Sequence, residues 1–241
     1  IKKGKAHILY DKKKSILNYE FDKVNFVFNY FDKPDKTKFI YKGNIDFNPF
    51  FSEVNGLTKK INLTNLFNPD LFITQILKTE ILNHKNLNIN FKINADQVEH
   101  YESFIDFLFN FKIKEGLIDI DNTEFSWKNF VNFEISNSLI YVNKNQLILN
   151  AKLLIDIKNY NELYKYLQMT KNLRPDLKKI EFNFEYNFDQ QIVDISSIKV
   201  DGQNTKKINK VLKKIILKKN KLQNKIHFKN IIKEAISVYA G

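Results

Sequence analysis

Few residues of this chain belong to the types that catalyse reactions or bind metals. The four histidines are His7, His84, His100 and His227. They fall on separate predicted elements and never form an i, i+4 pair, and the chain contains no cysteine, so no metal site is predicted. Asp119 and Asp121 would point to the same face of one strand, as a glycosidase or a metal site requires, but no third ligand accompanies them. No G-x-S-x-G, P-loop or G-x-G-x-x-G motif occurs, so we expect a protein that is not an enzyme, with no catalytic residue, no metal and no cofactor.

The positive charge of the chain is concentrated near the end of the sequence. The formal net charge is +12, and eleven lysines with no acidic residue lie between Thr205 and Lys233. Apolar residues recur among these lysines at helical spacing. This pattern predicts a basic amphipathic helix over about 204–222 and a shorter helix over about 229–238. The apolar positions of the first helix are Ile208, Val211, Leu212, Ile215 and Ile216.

Two interpretations of the basic helix are open. In one, its apolar stripe packs on the rest of the protein and its lysines lie in water. In the other, the lysines bind an anionic membrane surface, where each contributes about 1 kcal/mol. The candidate lysines are Lys206, Lys207, Lys210, Lys213, Lys214, Lys218 and Lys219. No nucleic acid is expected, because Arg174 is the sole arginine and phosphate and guanine recognition favour the arginine fork.

Most of the chain is predicted to form β-strands, because apolar and polar residues alternate over long stretches. The segment from Leu87 to Ala95 is the clearest example, since every second side chain is apolar. Strands are predicted at about 5–10, 15–22, 23–31, 37–47, 50–57, 86–97, 104–114, 116–121, 123–127, 130–142, 146–157, 179–189 and 191–200. Short turns between consecutive strands require antiparallel neighbours. The expected fold is mainly β, an antiparallel meander with short helices and a C-terminal basic amphipathic helix.

Two short helices are predicted between the strands. Asn68-Pro69-Asp70 supplies an N-cap, a proline at the first helical position and an acid in the first turn, which predicts a helix over about 69–82. Asn159 and Glu162 resemble a capping box and predict a helix over about 160–168. The expected buried face of this second helix is Tyr160, Leu163, Tyr164 and Leu167.

The sequence predicts one sheet domain over 1–202 and a basic helical tail over 203–241, because no linker composition marks a boundary before the tail. Glycines are expected at strand ends or turns. The apolar face of the sheet is broad, and two short helices are a small cover for it. Alternating aromatic residues are far more often core than base-stacking residues, yet this surplus of apolar area favours a surface that binds something apolar.

The order of elements resembles the C-terminal region of the AsmA-like proteins over about residues 40–202. The likeness rests on Gly43-Asn-Ile-Asp-Phe-Asn-Pro49, the helix around 71–82, the strands that open at Leu87-Asn-Ile-Asn and Gly116-Leu-Ile-Asp, and the end at Val200-Asp-Gly202. It is a similarity of order and pattern and involves no diagnostic motif. The resemblance implies a long curved antiparallel sheet that forms a trough or partly open barrel with a hydrophobic lining.

The resemblance also implies a function. AsmA-like proteins are linked to phospholipid transport and outer-membrane biogenesis in Gram-negative bacteria, and a transmembrane helix near their N-terminus holds the sheet in the periplasm. We therefore expect a periplasmic protein that binds or transfers phospholipid or another acyl-chain lipid, anchored to the inner membrane by an N-terminal helix that this chain does not contain. The expected groove lining is Leu87, Ile89, Phe91, Ile93, Ile105, Phe107, Phe109, Phe111, Ile113, Phe133, Ile135, Phe182 and Phe184.

Two alternatives compete with the lipid groove. Alternating strands of about ten residues also describe an outer-membrane-type β-barrel, although two helices and the basic tail are unusual for one. A soluble β protein could instead bind anionic partners, either nucleic acid or a membrane surface, through its lysine-rich tail.

Overall fold

The computed structural model describes residues 1–10, 13–32, 39–62, 72–216 and 225–240, and it is mainly β. Thirteen strands are described: β1 Lys2–Tyr10, β2 Lys13–Phe21, β3 Asn25–Asp32, β4 Phe39–Phe47, β5 Phe50–Ile61, β6 Asn88–Val98, β7 Tyr101–Lys114, β8 Leu117–Asp119, β9 Thr123–Trp127, β10 Val131–Asn143, β11 Gln146–Ile157, β12 Lys179–Asn187 and β13 Ile192–Val200. The helices are α1 Phe72–Lys78, α2 Tyr160–Tyr166, α3 Lys206–Ile216 and α4 Lys225–Ala240, with a 3-10 turn at Lys171–Leu173.

All thirteen strands belong to one sheet, and their spatial order follows the sequence. The two short strands β8 and β9 both lie between β7 and β10. Neighbouring strands are antiparallel, which confirms the predicted meander, except that β5 and β6 are parallel. This exception was not predicted, and it follows from the long connection that carries α1, because only a crossover connection lets consecutive strands run in the same direction.

The alternating apolar residues share one face of the sheet across many strands. One row of paired residues runs from β1 to β7 through Gly4, Tyr19, Phe28, Gly43, Val54, Phe91 and Phe111. The next row on the same face contains Ala6, Leu17, Tyr30, Tyr41, Gly56, Ile93 and Phe109. Period-two alternation in every strand, held in register by the ladder, therefore makes one continuous apolar face.

Two hydrophobic cores form on this sheet. The central core joins buried residues of β6, β7, β10 and β11 with Leu77 of α1. The C-terminal core joins β9 to β13 with residues of α2, α3 and α4. In the part of the chain that the structure describes, neither core contains a buried residue of β1 to β4.

The helices agree with the sequence in position but differ in length. Helix α1 ends at Lys78, where the sequence predicted about residue 82, and its expected cap at 68–70 lies outside the described residues. The N-cap of α2 is confirmed, because the side-chain oxygen of Asn159 accepts a hydrogen bond from the Glu162 N–H at 3.1 Å. Tyr160 was expected on the buried face of α2, but it is exposed because it lies in the first turn of that helix.

Helix α3 packs on the sheet and is not detached from it. Ile208 and Val211 are buried in the C-terminal core, and α3 contacts β13. Helix α4 begins at Lys225, four residues before the predicted start, and Ile236 joins the same core. For the described residues, the interpretation that the apolar stripe packs on the sheet is therefore confirmed.

Three glycines lie inside strands, so the expectation that glycines mark strand ends or turns is wrong for them. Gly4, Gly43 and Gly56 each pair directly with an aromatic residue of the neighbouring strand. A Cβ atom added at these positions would lie 2.3, 2.3 and 2.6 Å from the rings of Tyr19, Phe28 and Tyr41, respectively. The rings thus occupy the space above the glycines, an arrangement known to stabilise glycine-containing strands in curved sheets.

Candidate functional site

The structure places most of the predicted groove residues in the packed cores. Ile93, Phe107, Phe109 and Ile113 are buried in the central core and Phe133 in the C-terminal core. Half-buried residues that pack against one of the two cores are Leu87, Ile89, Phe91, Phe111, Ile135, Phe182 and Phe184. Ile105 is half-buried, pairs with Gln97 and Ser126, and belongs to neither core. The buried members are already in contact with protein atoms, so the surface for an apolar ligand has to be sought elsewhere on the same face.

Such a surface lies on the first strands of the sheet. We call it the open face and define it by Tyr19 and Phe21 of β2, Phe26, Phe28 and Tyr30 of β3, and Phe39 and Tyr41 of β4. These side chains are half-buried, apart from Phe21, which is 41 % exposed. At the end of β4, Phe47 is 45 % exposed and contacts Phe21. Apolar rings therefore reach solvent over several adjacent strands.

The rings of the open face contact one another. Phe26 lies 5.9 Å from Tyr19 and 5.8 Å from Phe28, measured between ring centroids. Tyr30 lies 5.3 Å from Phe39 and 6.3 Å from Tyr41. Aromatic pairs at these distances add about 0.5–1.5 kcal/mol each beyond the area they bury, so the rings hold one another in place.

The described helices lie over other strands. Helix α1 packs on β10 and β11, and α3 packs on β13. An ion pair between Lys78 and Asp189 ties α1 to the turn after β12. The same Asp189 carboxylate accepts a hydrogen bond from the Leu147 N–H at 2.9 Å. The apolar cover is thus attached to the later strands, and the first strands keep their rings half exposed.

The opposite face of the first strands is polar over part of its length, and an apolar row of Ile16, Phe31 and Ile40 crosses one end of it. A row of paired residues there runs through Lys5, Asn18, Asn29, Lys42 and Asn55. Lys3 and Glu20 form an ion pair at 2.6 Å, and Asn25 donates to Asn44 at 2.6 Å. Val27 lies on this side, between Glu20 and Asn44, and is 45 % exposed. The two sides of β3 therefore differ between Asn25 and Tyr30, where one side carries three rings and the other carries two asparagines and Val27.

The candidate lysines are only partly described. Lys206, Lys207 and Lys210 are exposed on α3. Lys213 and Lys214 lie in the same helix, but their side chains are outside the described part, and Lys218 and Lys219 fall in 217–224, which is not described. The described lysines share a helix with buried Ile208 and Val211, so they carry charge next to an apolar core.

The residues considered for chemistry have structural roles. The Asp121 carboxylate accepts hydrogen bonds from the backbone N–H and the hydroxyl of Ser138 at 2.7 and 2.6 Å. The Asp119 carboxylate accepts from the Asp121 N–H at 3.1 Å, and partial burial raises the pKa of Asp119. His7, His84 and His100 are exposed; His7 lies on β1, and His84 and His100 flank β6 at its opposite ends. Among the described residues, no group of three or more His, Asp or Glu could hold a metal ion.

The open face was missed as a site in the sequence, although the signal was present. The segment from 23 to 31 was predicted as an alternating strand, but the groove was assigned to β6, β7, β10 and β12. The prediction did not consider which strands the helices would cover. Every predicted helix follows β5 in the chain.

Comparison with protein-family models, with curated proteins and with solved structures gives no match. The resemblance to AsmA-like proteins therefore stays a prediction. In the described part of the chain, no helix is both long and apolar enough to cross a membrane.

Proposed function

We propose that this protein binds phospholipid through the open face and acts as a non-enzymatic lipid-binding or lipid-transfer module of a bacterial envelope. In this proposal it works in the periplasm, attached to the inner membrane, and contributes to outer-membrane biogenesis. The observation that carries the proposal is the open face itself, a set of contacting rings left half exposed on a sheet whose other end is covered. Exposed apolar patches of this kind mark interaction sites more often than chance surface.

The dimensions of the face suit an acyl chain. Strands lie about 4.8 Å apart, so a path across β1 to β5 spans about 19 Å, comparable to an extended long acyl chain. Each methylene removed from water contributes about 0.8 kcal/mol. The rows from Tyr19 to Phe111 and from Leu17 to Phe109 continue this path toward the central core without a charged residue.

The AsmA-like resemblance and the basic helix support the same proposal. The resemblance predicted a hydrophobic face for acyl chains, and it is the open face that fits this role. Exposed Lys206, Lys207 and Lys210 on α3 suit the anionic headgroups of a membrane surface. We include this contact in the proposal, so the partners are an acyl-chain lipid and an anionic bilayer.

Lipid retention by matched variants tests the proposal. The protein is expressed in a Gram-negative host and purified, and its lipids are extracted and identified by mass spectrometry. We expect phospholipid with the unchanged protein, several-fold less with Phe28→Asp, and an unchanged amount with Val27→Asp, the adjacent residue on the polar side. Absence of phospholipid from the unchanged protein, or equal retention by the two variants, would contradict the proposal.

The headgroup contact has its own measurement. Flotation with anionic vesicles is compared between the unchanged protein and a variant that carries Lys206→Glu, Lys207→Glu and Lys210→Glu. We expect the variant to float several-fold less at low salt, because three attractive charges become repulsive, and the difference to shrink at high salt. Equal flotation would remove α3 from the proposal.

A further inference from the structure

Three large apolar residues are exposed together where two turns meet at one edge of the first strands. Phe21 ends β2, Val24 lies in the turn between β2 and β3, and Phe47 ends β4. Val24 is 55 % exposed, and both rings are also exposed. We call these three residues the apolar tip. An apolar cluster therefore reaches solvent at the edge of the sheet.

Hydrogen bonds and a ring contact hold the apolar tip together. The Phe47 N–H donates to the Val24 carbonyl oxygen at 2.9 Å, and the rings of Phe21 and Phe47 lie 6.2 Å apart. The Asp22 carboxylate accepts hydrogen bonds from the N–H groups of Val24 and Asn25 at 3.0 and 2.9 Å. The two turns thus form one preformed unit, so little backbone ordering is needed when the tip binds a partner.

The apolar tip is continuous with the open face. Phe21 belongs to both surfaces, and its ring lies 6.4 Å from the ring of Phe26. The Phe26 ring lies in turn 5.8 Å from that of Phe28. An acyl chain that arrives at the tip therefore meets a series of contacting rings that leads onto the open face.

The size of the apolar tip favours a bilayer over a protein partner. A whole aromatic side chain buries about 150–250 Å², so three half-exposed side chains offer about 300 Å². A stable protein interface needs about 800 Å² on each partner. A bilayer needs no matching surface, since its lipids rearrange around a few inserted apolar side chains. Exposed Lys23, in the same turn, can keep its ammonium among the headgroups while the tip is inserted.

We infer that the apolar tip docks this protein on a lipid bilayer, with Phe21, Val24 and Phe47 inserted at the boundary between headgroups and acyl chains. The inference rests on the proposed function for its partner, and it deepens that function by naming the place where lipid passes between the bilayer and the open face. The contact is separate from the lysines of α3, a helix that packs on β13 at the other end of the strand order.

A fluorescent label tests insertion directly, because the chain contains no cysteine and one can be introduced at a chosen position. Val24→Cys and Val27→Cys are each labelled with the environment-sensitive fluorophore nitrobenzoxadiazole. Position 27 is the matched control, since Val27 is also exposed but lies on the polar side of β3. When vesicles of phosphatidylethanolamine and phosphatidylglycerol are added, we expect emission to rise several-fold at position 24 and to stay unchanged at position 27.

Flotation with the same vesicles at high salt isolates the apolar tip, because screening removes most of the attraction between lysines and anionic lipid. We expect Val24→Asp to bind at least tenfold more weakly than the unchanged protein, and Val27→Asp to bind equally well. Phe47→Gln is a second tip variant in case Val24→Asp alters the turn, and circular dichroism checks that both variants fold.

Unchanged emission at position 24, or equal changes at positions 24 and 27, would overturn the inference. Equal flotation of the folded tip variants and the unchanged protein would also overturn it. So would emission at position 24 that rises with protein concentration in the absence of vesicles, because a second copy would then cover the tip. Retained phospholipid without insertion at position 24 would contradict only the docking, and insertion without retained phospholipid would contradict only the open face.

Discussion

The first and the last strands of this sheet carry the same apolar alternation, but the helices that the structure describes pack on the later strands. Around β10 and β11, Leu147 is 1 % exposed, while on β2 Phe21 is 41 % exposed. The strands themselves do not differ, since the residue pairing continues across both regions. The difference follows the described helices, which come after β5 in the chain and pack on β10, β11 and β13. The apolar face of the sheet is thus core where a described helix packs on it and stays half exposed on the first strands.

The largest loss in the free energy of unfolding should come from truncating a side chain in the covered region. Leu147→Ala removes a fully buried side chain from the central core, so we expect it to lower the free energy of unfolding by about 2–5 kcal/mol. Phe21→Ala removes a ring that already contacts water, so we expect a loss of about 1–2 kcal/mol. Urea denaturation measures both values. A cost for Phe21→Ala equal to that of Leu147→Ala would show that the two regions are packed alike.

The ion pair between Lys78 and Asp189, which attaches α1 to the sheet, predicts that the stability of the protein depends on pH. Partial burial acts to raise the pKa of Asp189, but the hydrogen bonds from Lys78 and from the Leu147 N–H outweigh it, so the pKa is lowered in the folded protein. A lowered folded pKa means that this contribution is present above the ordinary value of about 3.9 and is lost as the pH falls through the folded pKa.

We expect Asp189→Asn to cost about 1–3 kcal/mol at pH 7, because it removes a charged acceptor from two donors. The variant should also lose less stability than the unchanged protein between pH 7 and pH 3. Urea denaturation at both values compares them. The same pH dependence in both proteins would mean that Asp189 does not hold α1 on the sheet.

The close approach of ring and glycine on the open face predicts coupling between two residues. Gly43→Ala places a methyl group against the Phe28 ring, and we expect a cost of about 1–2 kcal/mol because the ring must move. In a Phe28→Ala background the cost should fall, since the obstacle is gone. A double-mutant cycle by urea denaturation measures the difference. Equal costs in the two backgrounds would show that the ring does not rest on the glycine.

The smallest expected change in the free energy of unfolding is a gain. It comes from filling the apolar cavity between the strands β9 to β13 and the helices α2, α3 and α4. Cavities cost about 24 cal/mol per Å³, so filling ≈ 90 Å³ with Ala235→Leu is expected to stabilise the protein by about 1 kcal/mol and at most by about 2 kcal/mol. Thermal denaturation detects the gain. A loss of stability would indicate that the cavity cannot accept the larger side chain.

The period of two was sufficient to predict the fold, because strand pairing preserves it across the sheet. It could not predict the parallel pair β5–β6, which depends on the path of the connection that carries α1. Nor could it predict which part of the apolar face is covered. The groove residues were chosen on and just before β6 and on β7, β10 and β12, and Ile93, Phe107 and Phe109 are buried because α1 and the later strands pack beside them. The burial of a side chain depends on its neighbours in space, and the alternation along one strand does not specify those neighbours.

The lysine segment shows the same limit. Its helical spacing predicted the buried positions Ile208 and Val211, because a stripe at that spacing must lie against something apolar. The cavity between α3, α4 and the sheet has no signature in the sequence, since it results from imperfect fit among side chains that individually suit a core. Spacing identifies which side chains turn inward, and only the packed structure shows the space they leave.

Photo-crosslinking at neighbouring residues of β3 tests the central claim most directly. The photoreactive residue p-benzoyl-phenylalanine is placed at Phe28 in one protein and at Val27 in another, so the two probes share a strand and face opposite sides of the sheet. After irradiation in a Gram-negative host, mass spectrometry detects lipid bound covalently to each protein. The open face predicts phospholipid adducts at position 28 and few or none at position 27. Equal labelling at both positions, or none at position 28, would contradict it.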